Sequence, residues 1–441
     1  MEDKVNKYKL LVKKYLSLDN VSVLAGAGTS WHLGAPTIRN IPEKLKKTLE
    51  KDIKKYFGEE QKTSVDDNQP VEEDKPAEKK DPSFEDLLNC LQADRFLRAK
   101  KNESTTDIDA SIKKMQKWLF DKCNTEKTIL ETKIEKNAYD KLNNNRYHYH
   151  EVFIKKLLQR PANLKRVNLF TTNYDMAFDY ALDNLGVHYI NGFMGVHNRC
   201  FRPEVYDYDL YYPGQSVSGK VHRAEKVLKY FKIHGSLSWI ATKPTANNIY
   251  GIKEIPLNDN FNVDKDNELI IYPCTSKKSF TLDLPYSELF RQFSKAINQP
   301  QSVLFCTGYS FNDEHINDII KQAFTIPSFT LIVANYSDKA DPDPQISKLR
   351  KLDDKRILIL DEQDKEQSSF IGFVDNIMPD LYEEEENEMI AETLKRIYGN
   401  ENSQNISSTT NESSVKNKEL DNSIELKQES DSIETNDDLP F

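Results

Sequence analysis

The chain contains 441 residues and carries a formal net charge of −10 at pH 7, with a sequence pI near 5.5. This length allows one large domain with insertions or two moderate ones. The acidity argues against broad nucleic-acid binding, because the field of the whole molecule repels polyanions. The five cysteines lie far apart with no CxxC pair, which argues against a structural zinc site and a disulfide framework and favours a reducing compartment.

Residues 1–20 have charges threaded between apolar side chains. They lack the unbroken apolar core of a signal peptide, and their apolar spacing predicts an opening helix. No window of the sequence approaches the roughly 18 apolar residues that a membrane span requires. We therefore expect a cytoplasmic protein with no membrane segment.

Five predicted strands each run directly into a short polar or glycine-bearing motif. In an open parallel sheet, ligands bind outside the carboxyl ends of the strands, where the strand order reverses. We therefore expect an α/β fold in which these motifs share one nucleotide site. In chain order the motifs are Gly26-Ala27-Gly28-Thr29, Thr172-Asn173-Tyr174-Asp175, His234-Gly235-Ser236, Gly308-Tyr309-Ser310 and Asn335-Tyr336.

The first motif is typical of a phosphate-binding turn. Glycines permit a tight turn with outward-pointing amides, and a following helix start adds partial positive charge. A plain tight turn explains a lone G-x-G equally well. The usual dinucleotide fingerprint needs a third glycine at position 31, which is Trp31, so a standard dehydrogenase is disfavoured.

Three stretches depart from the α/β pattern. Residues 59–82 are charged and proline-bearing, which predicts a flexible acidic loop. Helical periodicity over about 83–160 predicts a helical insertion after the first strand. Residues 400–441 are polar and end in DDLPF, which predicts a disordered acidic tail behind a folded domain of residues 1–399.

Four motifs, in this order, resemble those of the sirtuins. Gly26-Ala27-Gly28 with the segment 34–39, which ends in Arg39, is similar to the pattern GAG-x5-G-I-P-x-F-R. Residues 172–175 resemble the sirtuin Q-N-I-D, and residues 233–236 resemble its H-G box. The Gly308 loop and Asn335 fall where the ribose- and adenine-contacting loops of sirtuins occur. The resemblance implies a sirtuin-like, Rossmann-type parallel sheet.

Departures from the sirtuin deacylases point to a different branch. The scattered cysteines cannot supply the four-cysteine zinc ribbon of the deacylases, so no zinc is expected. Segments such as FEDLLN and GYSFNDEHIN resemble the bacterial sirtuin-like NADases of antiphage defence, of the type paired with HerA-family ATPases. This resemblance implies a homo-oligomer that hydrolyses NAD, its substrate, as an abortive-infection effector.

The chemistry of such a site can be assigned to particular residues. Cleavage of the nicotinamide–ribose bond passes through an oxocarbenium-like state. Asn173 can orient water or ribose, and His234 can accept a proton near neutral pH. The resemblance places Asp175 at the nicotinamide carboxamide, and Ser310 at the adenosine end with Asn335. Arg39 offers a forked donor set to a phosphate or to loop carbonyls.

Each assignment has a structural alternative. Asn173 and Asp175 are also typical caps for a helix that begins near Met176. His234 is also consistent with a turn histidine, Arg39 with a loop brace, and we interpret His315 as structural. An ADP-ribosyl transferase and a non-catalytic module that senses NAD or ADP-ribose are the alternative functions.

The last five residues resemble the terminal peptide of bacterial single-stranded-DNA-binding proteins. In such a peptide an aromatic residue at the carboxyl terminus, here Phe441, is the apolar anchor, and the acidic pair is drawn to a basic rim. The resemblance implies docking on the proteins that bind those tips. A solvated tail, or one folded back on the basic surface of this chain, is the alternative.

Overall fold

The computed structural model describes residues 2–36, 41–58, 82–126, 145–214, 221–257, 268–270, 284–334, 344–360 and 369–382. The chain divides into two compact units, Met1–Pro379 and Asp380–Phe441, and the following concerns the first. Arg39, Asn335, nearly all of the predicted acidic loop and the predicted tail lie outside the described residues.

Among the described elements, a run of helices follows the first strand, a run of short strands follows the third strand, and helices and strands alternate from the helix at Tyr286–Ile297 onwards. The helices are α1 (Glu2–Leu16), α2 (Glu43–Thr48), α3 (Glu50–Phe57), α4 (Phe84–Lys100), α5 (Thr106–Cys123), α6 (His148–Leu157), α7 (Ala177–Asn184), α8 (Tyr286–Ile297), α9 (Glu314–Ala323), α10 (Pro344–Lys351) and α11 (Phe370–Gly372). The strands are β1 (Asn20–Ala25), β2 (Asn168–Thr171), β3 (His188–Ile190), β4 (Phe193–Met194), β5 (Arg199–Phe201), β6 (Tyr211–Pro213), β7 (Val221–Arg223), β8 (Val227–Lys232), β9 (Gly235–Ala241), β10 (Ile252–Glu254), β11 (Glu268–Ile270), β12 (Ser302–Thr307), β13 (Thr330–Ala334) and β14 (Ile357–Leu360).

Seven of these strands form one parallel sheet in the order β14-β13-β12-β1-β2-β8-β3. The α/β fold with a Rossmann-type parallel sheet is thus confirmed. Strands β12 and β13 are buried along their whole length, as expected when helices cover both faces of a parallel sheet. The order turns back at β1, because the chain first adds β2 and β8 on one side and later β12 to β14 on the other.

The strands that precede the five predicted motifs all end at one level of this sheet. Their last residues pair across it in a continuous row: Ala25 with Thr171 and with Thr307, Thr171 with Lys232, and Thr307 with Ala334. Because parallel strands carry their carboxyl ends to the same edge, the row brings the following loops to a common edge.

Strand residues alternate between two apolar cores, one on each face of the sheet. In β1, Val23 belongs to the first core and Leu24 to the second, in keeping with the two-residue period of a strand. Helices α1, α6 and α7 cover the first core, and α8 and α9 cover the second. Each fully buried large apolar side chain contributes roughly 1.5–3 kcal/mol to the hydrophobic free energy of folding.

A third core belongs to the helical insertion. It joins α2, α4 and α5 to two residues of the sheet edge, Tyr174 and Leu237. Helix α4 begins with a capping box, in which Ser83 and Asp86 each bond to the other's backbone N–H. The insertion therefore packs against the loop that follows β2 and against strand β9. Helix α6, within the predicted insertion, instead packs in the first core.

A smaller antiparallel sheet follows β3, with the order β11-β9-β10-β5-β4. The sequence did not predict it, because its strands run from two to seven residues and most are too short to establish an alternating pattern. None of the described helices is long and apolar enough to cross a membrane.

Two buried histidines stack within the first core. The rings of His32 and His150 lie 5.3 Å apart, and both contact Phe370. Nε2 of His32 and both ring nitrogens of His150 have no hydrogen-bond partner among the described residues. Burial lowers the pKa of His32 from 6.5 to about 4; burial, and then the proximity of His32, lowers the pKa of His150 well below its usual value.

This pair predicts acid-sensitive folding. Below pH 6.5 these two histidines become protonated in the unfolded chain but stay neutral in the folded chain. The free energy of unfolding should therefore fall as the pH drops towards 4. A pKa shift of this size for His32 corresponds to about 3 kcal/mol. Urea unfolding between pH 7 and 4 measures the slope. His150→Phe should make the slope shallower whatever its own stability, and an unchanged slope would contradict the assignment.

Candidate functional site

The loops after β1 and β12 approach each other backbone to backbone. The Gly28 N–H donates to Gly308 O at 2.9 Å, and the Gly26 N–H donates to Thr307 O at 3.0 Å. A Cβ added to Gly26 would lie 2.5 Å from Gly308 O, and one added to Gly28 would lie 2.7 Å from Gly308 Cα. Glycine is required here because the two backbones leave no room for a side chain.

Three backbone amides of the first loop form hydrogen bonds within the protein. The N–H groups of Gly26, Gly28 and Thr29 all donate to carbonyls of the protein, the last to Gly26 O. The prediction that the amides of this turn point outward is wrong for these three. The helix that follows is a seven-residue 3-10 helix, Ala27–Leu33. The glycines thus allow the loops after β1 and β12 to lie against each other.

We expect Gly308→Ala to destabilise the fold strongly. Gly308 has φ +61°, and its added Cβ would lie 2.5 Å from Thr29 N. Gly186 is the matched control, because its φ is +59° and nothing lies within 4 Å of its added Cβ. Both variants suffer the left-handed backbone cost, so the close contact should cost Gly308→Ala about 1–3 kcal/mol more. Equal losses in urea unfolding would show that the loops separate freely.

Asn173 is held by the loop after β1. Its Nδ2 donates to Thr29 Oγ1 and to Ser30 Oγ, both at 3.1 Å. The Thr29 hydroxyl donates its proton to Gly26 O at 2.8 Å, so Thr29 Oγ1 must accept from Asn173. This requirement fixes the orientation of the Asn173 amide. The amide oxygen, Oδ1, is buried and has no partner among the described residues. A buried acceptor without a hydrogen bond lowers the stability of the fold by about 1–3 kcal/mol. This oxygen is therefore available to a ligand or to water.

Asp175 is buried two residues further on and faces inward. Its Oδ1 accepts from the Ala177 N–H at 3.0 Å at the start of α7, so Asp175 makes the capping interaction weighed above. Burial raises the pKa of Asp175, and nearby Lys232, the Ala177 amide and a hydrogen bond from Ser30 oppose that rise. Ser30 therefore links this carboxylate to Asn173.

His234 lies in the turn that follows β8, the strand next to β2 in the sheet. Thr171 of β2 pairs with Lys232 of β8. Asn173 follows the first of these by two residues, and His234 follows the second by two residues. His234 is buried, and its Nε2 lies 3.2 Å from Nε2 of His315. Only one proton fits between two nitrogens at that distance, so one ring donates and the other accepts.

His315 enters the site from α9. The ring of Phe290 meets it edge-on, with centroids 4.9 Å apart, and Asp313 is the N-cap residue of the same helix. Sequence reasoning placed His315 outside the site. The contact joins residues 81 positions apart. The one sequence signal for it was the position of His315, shortly after the Gly308 motif in the segment GYSFNDEHIN.

The remaining predicted residues lie around the same edge. The Thr172 N–H donates to Ala25 O at 3.0 Å. Tyr309 is buried, and its hydroxyl donates to Asn317 Oδ1 at 3.3 Å. Ser310 Oγ accepts from Asn312 Nδ2 at 3.1 Å. The described loops therefore gather amide, hydroxyl, imidazole and carboxylate groups where the sheet order turns back.

Comparison with known proteins finds a domain model that matches part of the chain. Residues 167–357 match the model of the SIR2-like domain, a class with NAD-binding and NAD-processing members. The match contains Asn173, His234 and His315, whereas the first glycine loop lies before it.

Two solved structures are similar to the chain at low identity. A triple mutant of Sir2 homologues with 2′-O-acetyl ADP ribose is 14% identical at a TM-score of 0.35, and the alignment covers 85% of this chain and 99% of that chain. A single-substitution mutant of a Sir2 homologue with ADP ribose is 14% identical at a TM-score of 0.33, with 83% and 96% covered. No curated protein matches the chain.

Proposed function

We propose that the protein is an NAD glycohydrolase that cleaves NAD to nicotinamide and ADP-ribose. The observation that carries the proposal is Oδ1 of Asn173, which is buried and has no hydrogen-bond partner among the described residues. Nδ2 of the same side chain is held by Thr29 and Ser30, and His234 lies in the turn after the neighbouring strand β8. A fixed acceptor and an imidazole that follow the ends of neighbouring strands suit a reaction in which water must be oriented and deprotonated.

The roles follow from the atoms available. Asn173 Oδ1 accepts a hydrogen bond from the attacking water or from a ribose hydroxyl. The bond from the anomeric carbon to the pyridinium nitrogen breaks, its electron pair neutralises that nitrogen, and nicotinamide leaves. Water oxygen bonds to the same carbon, and His234 accepts the proton that the water loses. NAD is the substrate, and ADP-ribose carries the new hydroxyl.

One assay separates this reaction from its alternatives. Purified protein is incubated with NAD labelled in the adenosine half, and nicotinamide and label are followed together. Hydrolysis releases nicotinamide and leaves the label in free ADP-ribose. Label attached to protein or nucleic acid would instead identify an ADP-ribosyl transferase. Binding without nicotinamide release would identify a sensing module.

We further propose that the protein acts in the bacterial cytoplasm as an abortive-infection effector. The support is the resemblance of several segments to the defence NADases, which also suggests a homo-oligomer and a HerA-type ATPase as partner. NAD should fall in phage-challenged cells that express the wild type and not in cells that express Asn173→Ala. NAD that stays constant in both would refute the defence role.

The terminal DDLPF peptide supports a separate docking proposal. We propose that it binds the proteins that recognise the tips of single-stranded-DNA-binding proteins, through the ring and terminal carboxylate of Phe441. One residue appended after Phe441 should abolish that binding. Unchanged affinity for such a partner would refute it.

A further inference from the structure

His234, Asp313 and His315 come together from three places in the fold. His234 follows β8, Asp313 stands at the N-cap position of α9 without a side-chain capping bond, and His315 lies in the first turn of that helix. One potential ligand atom from each residue lies within 4.8 Å of the other two. The histidines are buried and the aspartate is half-buried, so the group lies just below the surface of the protein.

The spacing of the two imidazoles suits a shared metal ion. A tetrahedral zinc ion with Zn–N bonds of about 2.0–2.1 Å holds its donor atoms roughly 3.3 Å apart. The two Nε2 atoms already lie 3.2 Å apart. The ligand atoms of the whole group lie within 4.8 Å of one another, so the carboxylate has to move by at most roughly 1.5 Å to complete this geometry.

The donor set determines which cations fit. Two imidazoles and one carboxylate are ligands of zinc and of the neighbouring divalent transition metals, whereas magnesium and calcium prefer oxygen ligands. Three protein ligands also leave a fourth position for water or another ligand, as in zinc sites that are not purely structural. The four-cysteine zinc ribbon of the deacylases has no part in this arrangement.

We propose that His234, Asp313 and His315 bind one zinc ion or a similar divalent transition-metal cation. Binding displaces the proton between the two Nε2 atoms, so the affinity should fall on acidification. A consequence rests on the proposed function: a cation bound to the His234 ring would make that imidazole a poorer proton acceptor. Bound zinc should therefore inhibit NAD cleavage, and a chelator should restore it.

Calorimetry on the full chain, freed of metal with a chelator, tests the binding. We expect one zinc ion per chain and no response to magnesium. Asp313→Asn keeps a residue that caps helices and loses the carboxylate, so zinc affinity should fall about tenfold or more. His315→Ala should abolish binding, and His197→Ala is the matched control because His197 is exposed and lies outside the group.

The same experiments can overturn the proposal. Absence of zinc binding by the wild type would do so, as would equal affinity in His315→Ala and His197→Ala, which would place the ion elsewhere. Visible absorption of bound Co2+ provides a second readout, and it should disappear in His315→Ala. Zinc binding by a metal-free protein that never cleaves NAD would refute the proposed function alone. NAD cleavage by a protein that binds no zinc would refute the metal site alone.

Discussion

Replacing Asn173 by alanine should lower the rate of NAD cleavage by about 10²-fold or more, the usual effect of removing a transition-state contact. The change removes the Oδ1 acceptor and two hydrogen bonds, to Thr29 and Ser30. It also removes a buried acceptor that has no partner in the part of the chain that the structure describes. These two effects on stability oppose each other, so unfolding should change little while activity falls.

His234→Ala should cause a loss of similar size, and the two changes should not add. Groups that act on one step lose most of their effect once either is missing. We therefore expect the double variant to be scarcely slower than the worse single variant. Measurement of kcat and KM for nicotinamide release, beside urea unfolding of each variant, tests this. Near-normal kcat in Asn173→Ala, or a loss that follows unfolding, would refute the assignment.

The sequence predicted the sheet edge well because strand-end motifs are local. Each buried strand has a continuous apolar run, and the residues after it are polar or glycine. Parallel pairing then brings Gly26, Asn173, His234 and Gly308 to one edge without further information. The order of the motifs along the chain was enough to expect a common site.

What the sequence missed depends on packing between distant segments. The contact of His234 with His315 requires α9 to settle against β8 with a particular rotation, which no local pattern specifies. The glycines were expected to cradle a phosphate, yet their close approach to Gly308 is a property of two loops 280 residues apart. Glycine composition alone cannot distinguish the two uses.

Behind the site, a buried ion pair sets the position of the loop after β2. Lys232 Nζ donates to Asp179 Oδ2 at 2.9 Å and to the backbone oxygen of Asp175. The side chains of Lys232 and Asp179 are 3% and 6% exposed. Tyr230 also donates to Asp179 Oδ2, at 2.9 Å. The network ties β8 to the start of α7, immediately after Asn173.

Lys232→Met should therefore lower the free energy of unfolding by about 3–5 kcal/mol, because it leaves the Asp179 carboxylate buried without its cation. Asp179→Asn should cost less, since the charge of Lys232 still has the nearby Asp175 carboxylate, where it opposes the rise in pKa that burial causes. Asp179→Asn combined with Lys232→Met leaves neither charge of the pair, so its loss should be smaller than the sum of the single losses.

Urea unfolding of the three variants at neutral pH measures these terms. Equal losses in Lys232→Met and Asp179→Asn would contradict the role given to Asp175, and strict additivity would mean that the pair is not coupled. Because Lys232 also holds the backbone of Asp175, Lys232→Met should slow NAD cleavage even under conditions where the variant stays folded. Since Asp179→Asn retains Lys232 and its bond to Asp175 O, its kcat should fall less, a difference that stability alone would not produce.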